Sequence, residues 1–333
     1  MYYSKITGVG HYVPARVVTN QDLEKLMDTS DAWIQERTGI KERRFFEPGT
    51  DTVANMGTRA ARMAMHRAGI EASDVDFIVF ATITPDYYFP GCGVLLQREL
   101  GLTSIGALDI RNQCTGFIYA ISVADQFIKT GMYKNILVVG AEIQSTIMDI
   151  SNKGRTMAVI FGDGAGAVVL QATEDKEHRI LSTHLHADGK YAEELIVKDP
   201  GSSREGRWIN KEMIESGGTD PYMNGNAVFK HAVIRFPEVI KEALDANGYG
   251  KEDIDMLVPH QANYRITSYV REQLGLPEEK VFSNIHKYGN TTAASIPIAL
   301  SEACQEGKIQ PGDLVCLAAF GSGFTWGSAL IRW

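Results

Sequence analysis

Two segments of this chain carry the same residues in the same order at a constant spacing. Residues 65–84 (MHRAGIEASDVDFIVFATIT) can be laid on residues 244–263 (LDANGYGKEDIDMLVPHQAN). Three pairs coincide at one offset, 248 − 69 = 179: Gly69 with Gly248, Asp74 with Asp253, and Asp76 with Asp255. Because the matches keep their order, we interpret them as a duplication rather than as two α/β units of similar composition.

Each copy alternates short apolar runs with helical patterns. In the first copy DFIVFATIT, IGALDI and NILVVGAE are strand-like, and segments with helical spacing separate them. This alternation predicts a mostly parallel sheet with helices packed outside it. A glycine-rich segment ends each copy, GDGAGAVVLQ (162–171) and GSGFTWGSALI (321–331), and we expect a tight hairpin at both.

The composition limits the classes of function. Of the 333 residues, 44% are hydrophobic and 22% are charged, which is typical of a globular protein. The net charge of −8 argues against nucleic acid or an anionic membrane as the main partner. The N-terminus lacks the pattern of a signal peptide, and the longest apolar runs are too short to cross a bilayer, so we expect a cytoplasmic protein.

The spacing of cysteine and histidine gives no sign of a metal site or a disulfide framework. No C-x-x-C pair exists, and His184 and His186 have no evident third ligand. Three cysteines are interpreted as packing residues: Cys92, Cys304 and Cys316. The segment 184–223 has no clear periodicity, and a functional lid and surface disorder remain alternatives for it.

Cys114 lies at the start of a predicted helix, in ALDIRNQCTGFIYAISVADQF (107–127). The apolar residues that follow it at helical spacing are Phe117, Ile121, Ala124 and Ile128. The first turn of a helix has unpaired N–H groups and the positive end of the helix dipole, so we expect a lowered thiol pKa and a nucleophilic role. The alternative is that Cys114 is a small core residue.

Two further residues strengthen the catalytic interpretation. His260 follows a strand in DIDMLVPHQANYRI, and Asn290 lies in a turn before a helix in HKYGNTTAASIPIAL. In the internal alignment His260 falls opposite Ala81, and Asn290 falls opposite Arg111, close to Cys114. If a pseudo-twofold axis relates the halves, all three side chains can meet at a central crevice.

The order Cys, His, Asn also occurs in papain-like proteases, with a similar separation of 260 − 114 = 146 residues. However, NQCTGF is not the sequence expected around such a cysteine, and no secretory signal is present. Cys114 also lies after a complete strand–helix series rather than near the N-terminus. We therefore reject a hydrolase.

At these residues the sequence resembles the β-ketoacyl-[acyl-carrier-protein] synthase III family of thiolase-fold condensing enzymes. The signatures are TSDAWIQERTGI, FGDGAGAVVL, VPHQANYRI and GNTTAASIP, and the match runs from ITGVGHYVP to GSGFTWGSALIRW. The resemblance implies an α/β thiolase fold with a five-layered αβαβα core. One half, residues 1–178, would carry the nucleophile, and the other, residues 179–333, would carry His260 and Asn290.

The resemblance also implies the reaction. Cys114 would take an acyl group from acyl-CoA, and malonyl-acyl carrier protein (malonyl-ACP) would then lose CO2 and condense with it to give 3-oxoacyl-ACP. His260 and Asn290 would stabilise the enolate oxygen, and the N–H groups of Cys114 and Ser322 would form the oxyanion hole. CoA and the carrier-bound thioester are substrates, so no cofactor and no metal are expected.

The remaining roles come from the resemblance alone. Without it, each charged residue would be interpreted as solvated, and Trp33 with Arg37 as a surface cation–π pair. The implied set is Trp33, Arg37 and Arg155 on the nucleotide of CoA, Phe229 and Asn263 along the pantetheine tunnel, Lys230 and Arg265 for the acidic carrier protein, Phe320 against the malonyl carboxylate, and Phe89 in the acyl pocket of a partner in a homodimer.

Two departures from the family pattern concern the acyl pocket more than the chemistry. Ser322 stands where many relatives have Gly, and RNQC places polar residues where relatives often have small ones. Two alternatives to fatty acid initiation remain open. One is a specialised acyltransferase of natural-product or signal biosynthesis, and the other is an inactive homologue that serves as a scaffold.

Overall fold

The structure is a computed structural model that describes residues 2–203 and 205–333. The strands are β1 (Tyr3–Tyr12), β2 (Arg16–Thr19), β3 (Glu42–Phe45), β4 (Phe77–Ala81), β5 (Gly106–Ile110), β6 (Asn135–Glu142), β7 (Gly164–Thr173), β8 (Arg179–Ala187), β9 (Leu195–Ile196), β10 (Tyr222–Met223), β11 (Met256–Pro259), β12 (Leu314–Gly321) and β13 (Thr325–Arg332). The helices are α1 (Asn20–Glu24), α2 (Asp31–Thr38), α3 (Val53–Ala68), α4 (Cys92–Glu99), α5 (Gly116–Lys129), α6 (Arg155–Ala158), α7 (Lys211–Glu215), α8 (Gly225–Asn247), α9 (Tyr264–Leu274), α10 (Ile285–Tyr288) and α11 (Ser295–Gln305).

Two sheets of matching topology form the framework. The first has the order β1-β7-β6-β4-β5, with β4 parallel to β5 and β6, and β7 antiparallel to β1 and β6. The second has the order β8-β13-β12-β11, with β11 parallel to β12, and β13 antiparallel to β12 and β8. Val281 bridges Leu257 in parallel, in the place that β5 takes in the first sheet. The duplication is confirmed.

The sheets and helices stack in five layers. α3 and α4 cover the outer face of the first sheet, and α8 with α9 covers the outer face of the second. α5 and α11 lie between the sheets, where the largest hydrophobic cluster is formed by side chains of both halves. The apolar residues predicted for α5 are all fully buried there: Phe117, Ile121, Ala124 and Ile128. The thiolase fold predicted from the resemblance is therefore confirmed.

The members of each of the three residue pairs that revealed the repeat have the same structural role in the two halves. Gly69 and Gly248 both end a helix in the left-handed conformation, with φ of 67° and 74°. Asp74 and Asp253 each accept the backbone N–H at the start of a 3₁₀ turn. Asp76 accepts the N–H of Asn135 at the start of β6, and Asp255 accepts that of Leu314 at the start of β12.

The two glycine-rich segments do not behave alike. GSGFTWGSALI forms the predicted tight hairpin between β12 and β13. GDGAGAVVLQ does lead into a strand, but β7 pairs with β6 across a long connection, residues 143–163, so the tight hairpin predicted there is wrong. The connection contains α6 and Phe161, which pairs with Asn290, so its length allows this segment to reach the turn that holds Asn290.

The segment 184–223 is only partly irregular. It includes the end of β8, the short helix α7, and the two-stranded pair of β9 and β10. Arg204 lies outside the described residues. Among the helices of the described chain, none has both the length and the apolar character needed to cross a membrane.

Candidate active site

Cys114 sits in a 3₁₀ turn, Gln113–Thr115, that leads directly into α5. Gln113 has φ of +44°, a left-handed conformation that non-glycine residues rarely adopt and that costs about 1 kcal/mol or more. The hydroxyl of Thr115 donates to the carbonyl of Asn112 (2.9 Å) and lies 2.8 Å from the hydroxyl of Thr325 in β13. The turn is therefore fastened both to its own chain and to the second half of the molecule.

The β12–β13 hairpin lies against the thiol. A Cβ atom at Gly321 would be 2.6 Å from the Cβ atom of Cys114 and 3.0 Å from its Sγ, so only glycine fits there. The backbone N–H groups of Cys114 and Ser322 face the sulfur, and both act to lower the pKa of the thiol. These are the two donors that the family resemblance implies for the oxyanion hole.

The pKa of Cys114 does not move in the direction expected from the sequence. Burial raises the pKa of the thiol to about 12, and the carboxyl of Glu142 also raises it, which outweighs the two backbone N–H groups. The expectation of a lowered pKa is therefore wrong for the free protein. The start of a helix helps a thiolate, but the loss of water around a buried sulfur costs more.

His260 follows β11 and is fully buried. Its backbone N–H donates to the carbonyl of Ala318 in β12 (2.8 Å), and its Nδ1 lies 2.5 Å from the hydroxyl of Ser295, the first residue of α11. Burial lowers the pKa of the imidazole to about 3, so the ring is neutral at physiological pH. Ser295 Oγ also accepts the N–H of Gln261 (3.4 Å), which favours donation of its own proton to Nδ1 and a proton on Nε2.

The Nε2 atom of His260 is buried and has no hydrogen-bond partner among the described residues. Buried polar atoms in proteins are nearly always paired, so an unpaired one is a candidate point of contact for a substrate. The free atom is the one that His260 has available for the enolate oxygen, the role that the family resemblance implies for this residue.

Asn290 is held at both its backbone and its side chain. Its N–H donates to the carbonyl of Ile160 (2.9 Å), and its own carbonyl accepts the N–H of Gly162 (3.1 Å). The side-chain Oδ1 accepts the N–H of Thr292 (2.9 Å), so the Nδ2 amide is the end of the side chain left to donate to a ligand. Thr292, like Gln113, is left-handed, with φ of +50°.

The pseudo-twofold axis brings the starts of α5 and α11 together. The turn that holds Cys114 contacts the turn Thr292–Ala294 that follows Asn290, and a Cβ atom at Gly116 would be 3.5 Å from that of Ala293. Ser295, the partner of His260, is the next residue along. The structure thus places Cys114, Asn290 and the hydroxyl partner of His260 in or beside two adjoining helix starts.

Three residues predicted to contact the nucleotide of CoA lie together at the surface. The guanidinium of Arg37 lies 4.8 Å from the centre of the Trp33 ring, and that of Arg155 lies 5.5 Å from it. Arg155 also donates to the carbonyl of Asp28. A partly exposed indole with two cations nearby suits an aromatic base that carries phosphate groups.

The predicted tunnel and carrier-protein residues adjoin each other on α8 and α9. Asn263 caps α9 by accepting the N–H of Arg265 (2.9 Å) and donates to the carbonyl of Arg37 (3.0 Å), which links this region to α2. The guanidinium of Arg265 lies 6.0 Å from the ring centre of Phe229, and Lys230 is exposed beside it.

The two aromatic residues predicted for the acyl and malonyl pockets differ strongly in solvent exposure. Phe320 is buried in β12, with its ring centre 4.9 Å from that of Phe324. Phe89 lies on the loop after β4 and is 79% exposed, and its ring contact is with Tyr88 on the same loop. The structure therefore places Phe89 outside the group of residues gathered around Cys114.

Two residues near the site had no role in the sequence interpretation. Ser295 orients His260, and Glu142 is a fully buried carboxyl at the end of β6. Both were missed because their partners lie far away in the chain. Within residues 2–203 and 205–333, no group of three or more His, Cys, Asp or Glu side chains is arranged to hold a metal ion.

Comparison with known proteins gives a consistent result along the whole chain. A family profile described as 3-oxoacyl-[acyl-carrier-protein (ACP)] synthase III matches residues 108–189, and its C-terminal counterpart matches residues 244–333. The Beta-ketoacyl-[acyl-carrier-protein] synthase III of Xanthomonas euvesicatoria is 48% identical, over 99% of this chain and 98% of its own. That of Thioalkalivibrio sulfidiphilus is 47% identical over the full length of both.

The solved structures agree. The 3-oxoacyl-[acyl-carrier-protein] synthase III of Aquifex aeolicus superimposes with a TM-score of 0.90 at 44% identity, over 99% of this chain and 100% of its own. The fold and the thiol site define an enzyme of the thiolase fold, a condensing acyltransferase. More specifically, the chain belongs to the β-ketoacyl-[acyl-carrier-protein] synthase III family.

Proposed function

We propose that the protein condenses an acyl-CoA primer with malonyl-ACP, with loss of CO2, and so begins fatty acid synthesis. The observation that carries this proposal is the unpaired Nε2 of the buried, neutral His260. A neutral donor held in a dry site, with no other partner, suits an oxygen that becomes negative only during the reaction.

In the first half-reaction Cys114 takes the acyl group. The sulfur attacks the thioester carbon of acyl-CoA, the bond from carbon to the sulfur of CoA breaks, and the thiol proton leaves with CoA. The N–H groups of Cys114 and Ser322 face the sulfur and would donate hydrogen bonds to the oxyanion of the tetrahedral intermediate. The residues Trp33, Arg37, Arg155, Phe229 and Asn263 would hold the CoA moiety.

In the second half-reaction malonyl-ACP loses CO2 and becomes a carbon nucleophile. The electrons of the broken C–C bond form an enolate, whose oxygen accepts hydrogen bonds from Nε2 of His260 and Nδ2 of Asn290. The enolate carbon attacks the acyl-Cys114 carbonyl, and the Cys114 sulfur leaves as a thiolate, which takes up a proton from water to restore the thiol. Phe320 would flank the departing carboxylate, and exposed Lys230 and Arg265 would meet the acidic carrier protein. No cofactor takes part, since both thioesters are substrates.

Covalent labelling tests the first half-reaction. Incubation with radiolabelled acetyl-CoA should label the protein at Cys114, and intact-mass analysis should show one acyl group. Cys114→Ala should abolish the label. Cys92→Ala is the matched control, because Cys92 is also a buried thiol at the start of a helix, and it should keep the label. An unchanged mass across a panel of acyl-CoAs would contradict the proposal.

A specialised acyltransferase is the second candidate. The polar residues Arg111, Asn112 and Gln113 precede Cys114. The priming β-ketosynthase of the R1128 polyketide pathway superimposes with a TM-score of 0.89 at 31% identity, over 99% of this chain and 96% of its own. A panel of acyl-CoA primers scored by condensation with malonyl-ACP separates the candidates, because preference for acetyl-CoA favours fatty acid initiation.

We also propose that the protein is a cytoplasmic homodimer. Tyr87, Tyr88 and Phe89 are 59%, 65% and 79% exposed on one loop, and a group of adjacent exposed aromatic side chains suits a protein–protein contact. Nearby, β5 is the open edge of the first sheet, and Leu108 on it is 37% exposed. The four cysteines are free thiols, which suits a reducing compartment.

A further inference from the structure

Glu142 is a fully buried carboxyl at the carboxyl end of β6, and the proposed chemistry leaves it without a role. It accepts hydrogen bonds from the hydroxyls of Thr82 (3.2 Å) and Thr84 (2.6 Å) and from the N–H of Ile83 (3.2 Å). The N–H of Ala293 also donates to it. These partners are all neutral, so no cation offsets the cost of burying the charged carboxyl. A costly group of this kind is often one with a functional role.

The end of β6 supports the turn that follows Asn290 at three points. A Cβ atom at Gly140 would lie 2.3 Å from the carbonyl oxygen of Ala293, so the turn rests directly on the strand. Glu142 accepts the N–H of Ala293, and the Nε2 of Gln144 donates to the hydroxyl of Thr292 (2.9 Å). Thr292 in turn donates its N–H to Oδ1 of Asn290. Nε2 of Gln144 also donates to Glu142 (3.5 Å), so a continuous set of hydrogen bonds joins Glu142 through Gln144 and Thr292 to the carboxamide.

The internal repeat shows what is special about this position. At the offset of 179 residues, Ala293 corresponds to Cys114, Thr292 to Gln113, and Gly321 to Glu142. Both Thr292 and Gln113 are left-handed, so the two turns have the same shape. In one half the strand end is a glycine that makes room for the thiol, and in the other it is a carboxyl that holds the turn.

We propose that Glu142 is a positioning residue of the condensing site, which fixes the turn of Asn290 through Ala293 and places a negative charge within reach of the Cys114 thiol. The proposal rests on the proposed function for its first part only. The second part concerns the thiol itself and needs no substrate to be observed.

The electrostatic surroundings of the two groups are simple. The carboxyl of Glu142 raises the pKa of Cys114, and it is the charged side chain that acts on that thiol. Glu142 also acts on Cys92, which Asp86 and Asp109 face as well. Burial raises the pKa of Glu142 itself to about 7, so its charge changes within the working pH range.

The first experiment measures alkylation of Cys114 by iodoacetamide between pH 6 and 9.5. In the wild type the logarithm of the rate should rise with less than unit slope between pH 6 and 8, because Glu142 gains its charge there and opposes the thiolate. Glu142→Gln should react about 10-fold faster at pH 9, with a unit slope throughout, since removal of a nearby charge lowers a pKa by about one unit. The matched control is Glu302→Gln, a buried carboxyl bonded to Tyr288 and Asn284, which should follow the wild type.

The second experiment separates the hydrogen bonds that support the turn of Asn290 from the effect of the Glu142 charge on Cys114. Gln144→Leu removes the bond to Thr292 and the longer one from Nε2 of Gln144 to Glu142 (3.5 Å), but it keeps the carboxyl of Glu142. Malonyl-ACP decarboxylation should therefore fall about 10-fold, while the slope of alkylation against pH stays below one between pH 6 and 8. Glu142→Gln should change both readouts, and Glu142→Asp should restore the slope of the wild type.

The outcomes are distinguishable. Wild-type alkylation kinetics in a folded Glu142→Gln protein, with equal rates of acyl loading and decarboxylation relative to wild type, would overturn the proposal. If Glu142→Gln does not fold, as judged by circular dichroism, Glu142→Asp decides, because its shorter side chain keeps the charge but draws the carboxyl away from the N–H of Ala293. Unchanged decarboxylation in Glu142→Asp would then remove the anchoring role. Failure of the wild type to condense any primer would count against the proposed function and leave the alkylation test valid.

Discussion

At the scale of residues, the site contains buried titratable groups whose charge states are set by burial. His260 is neutral because burial lowers the pKa of its imidazole, and Cys114 is protonated because burial raises the pKa of its thiol. Neutral donors avoid a proton transfer in the decarboxylation step, so His260 and Asn290 are suited to charge stabilisation rather than to acid catalysis.

We predict that His260→Ala and Asn290→Ala slow decarboxylation of malonyl-ACP by roughly 100-fold, the usual cost of one oxyanion donor. Acyl loading of Cys114 should fall far less, because the oxyanion donors proposed for that step are the backbone N–H groups of Cys114 and Ser322. Stopped-flow measurement of each half-reaction checks this. Equal losses in both half-reactions would contradict the division of roles.

The lowered pKa of His260 also predicts a pH dependence of stability. The imidazole takes up its proton near pH 6.5 in the unfolded chain but only near pH 3 in the folded one, so the unfolded state binds more protons between these values. The free energy of unfolding should therefore fall as the pH drops below about 6.5. Urea titrations at pH 7 and pH 5 should show that the wild type loses roughly 1 to 2 kcal/mol more than His260→Gln. Parallel losses would contradict the buried neutral imidazole.

At the scale of elements, glycines decide how closely segments approach. Gly321→Ala would push a methyl group onto Cys114, and we predict a loss of about 1–3 kcal/mol in stability and at least a 10-fold loss in acyl loading. Thermal melts and labelling with acetyl-CoA measure the two effects. Gly225→Ala, at the start of α8 with open space around its Cβ position, should leave both unchanged. A fully loaded, stable Gly321→Ala protein would show that the hairpin can retreat from the thiol.

The elements also show what the sequence could and could not predict. The repeat, the helix after Cys114 and the β12–β13 hairpin were predictable because local residues specify them, as Gly69 and Gly248 do by ending equivalent helices. The bond of Ser295 to His260 and the role of Glu142 were not, because the partners are distant in sequence and meet only when the sheets pack. The pKa of Cys114 was predicted in the wrong direction because helix position is visible in a sequence and burial of one sulfur is not.

At the scale of the whole molecule, the exposed loop after β4 and the edge strand β5 predict assembly. Phe89→Ala combined with Leu108→Arg should convert a dimer to a monomer, because it removes apolar area and adds a charge at the sheet edge. Sedimentation velocity measures the change. Leu26→Arg is the matched control, since Leu26 is 59% exposed on α1–α2 and should leave the dimer intact. A monomeric wild type, or a double variant that still sediments as a dimer, would contradict the assignment.

Because Cys114 and Ala293 occupy corresponding positions in the two halves, the effect of cutting the chain between the halves can be predicted. Each half supplies a helix start to a common centre. In the proposed mechanism the first half contributes the reacting sulfur, and the second contributes the donors to the enolate oxygen. A nick in the connector between β7 and β8, residues 174–178, would remove no reacting atom. Neither fragment alone would retain both kinds of group, so turnover after such a nick would report directly on whether the two pieces stay associated.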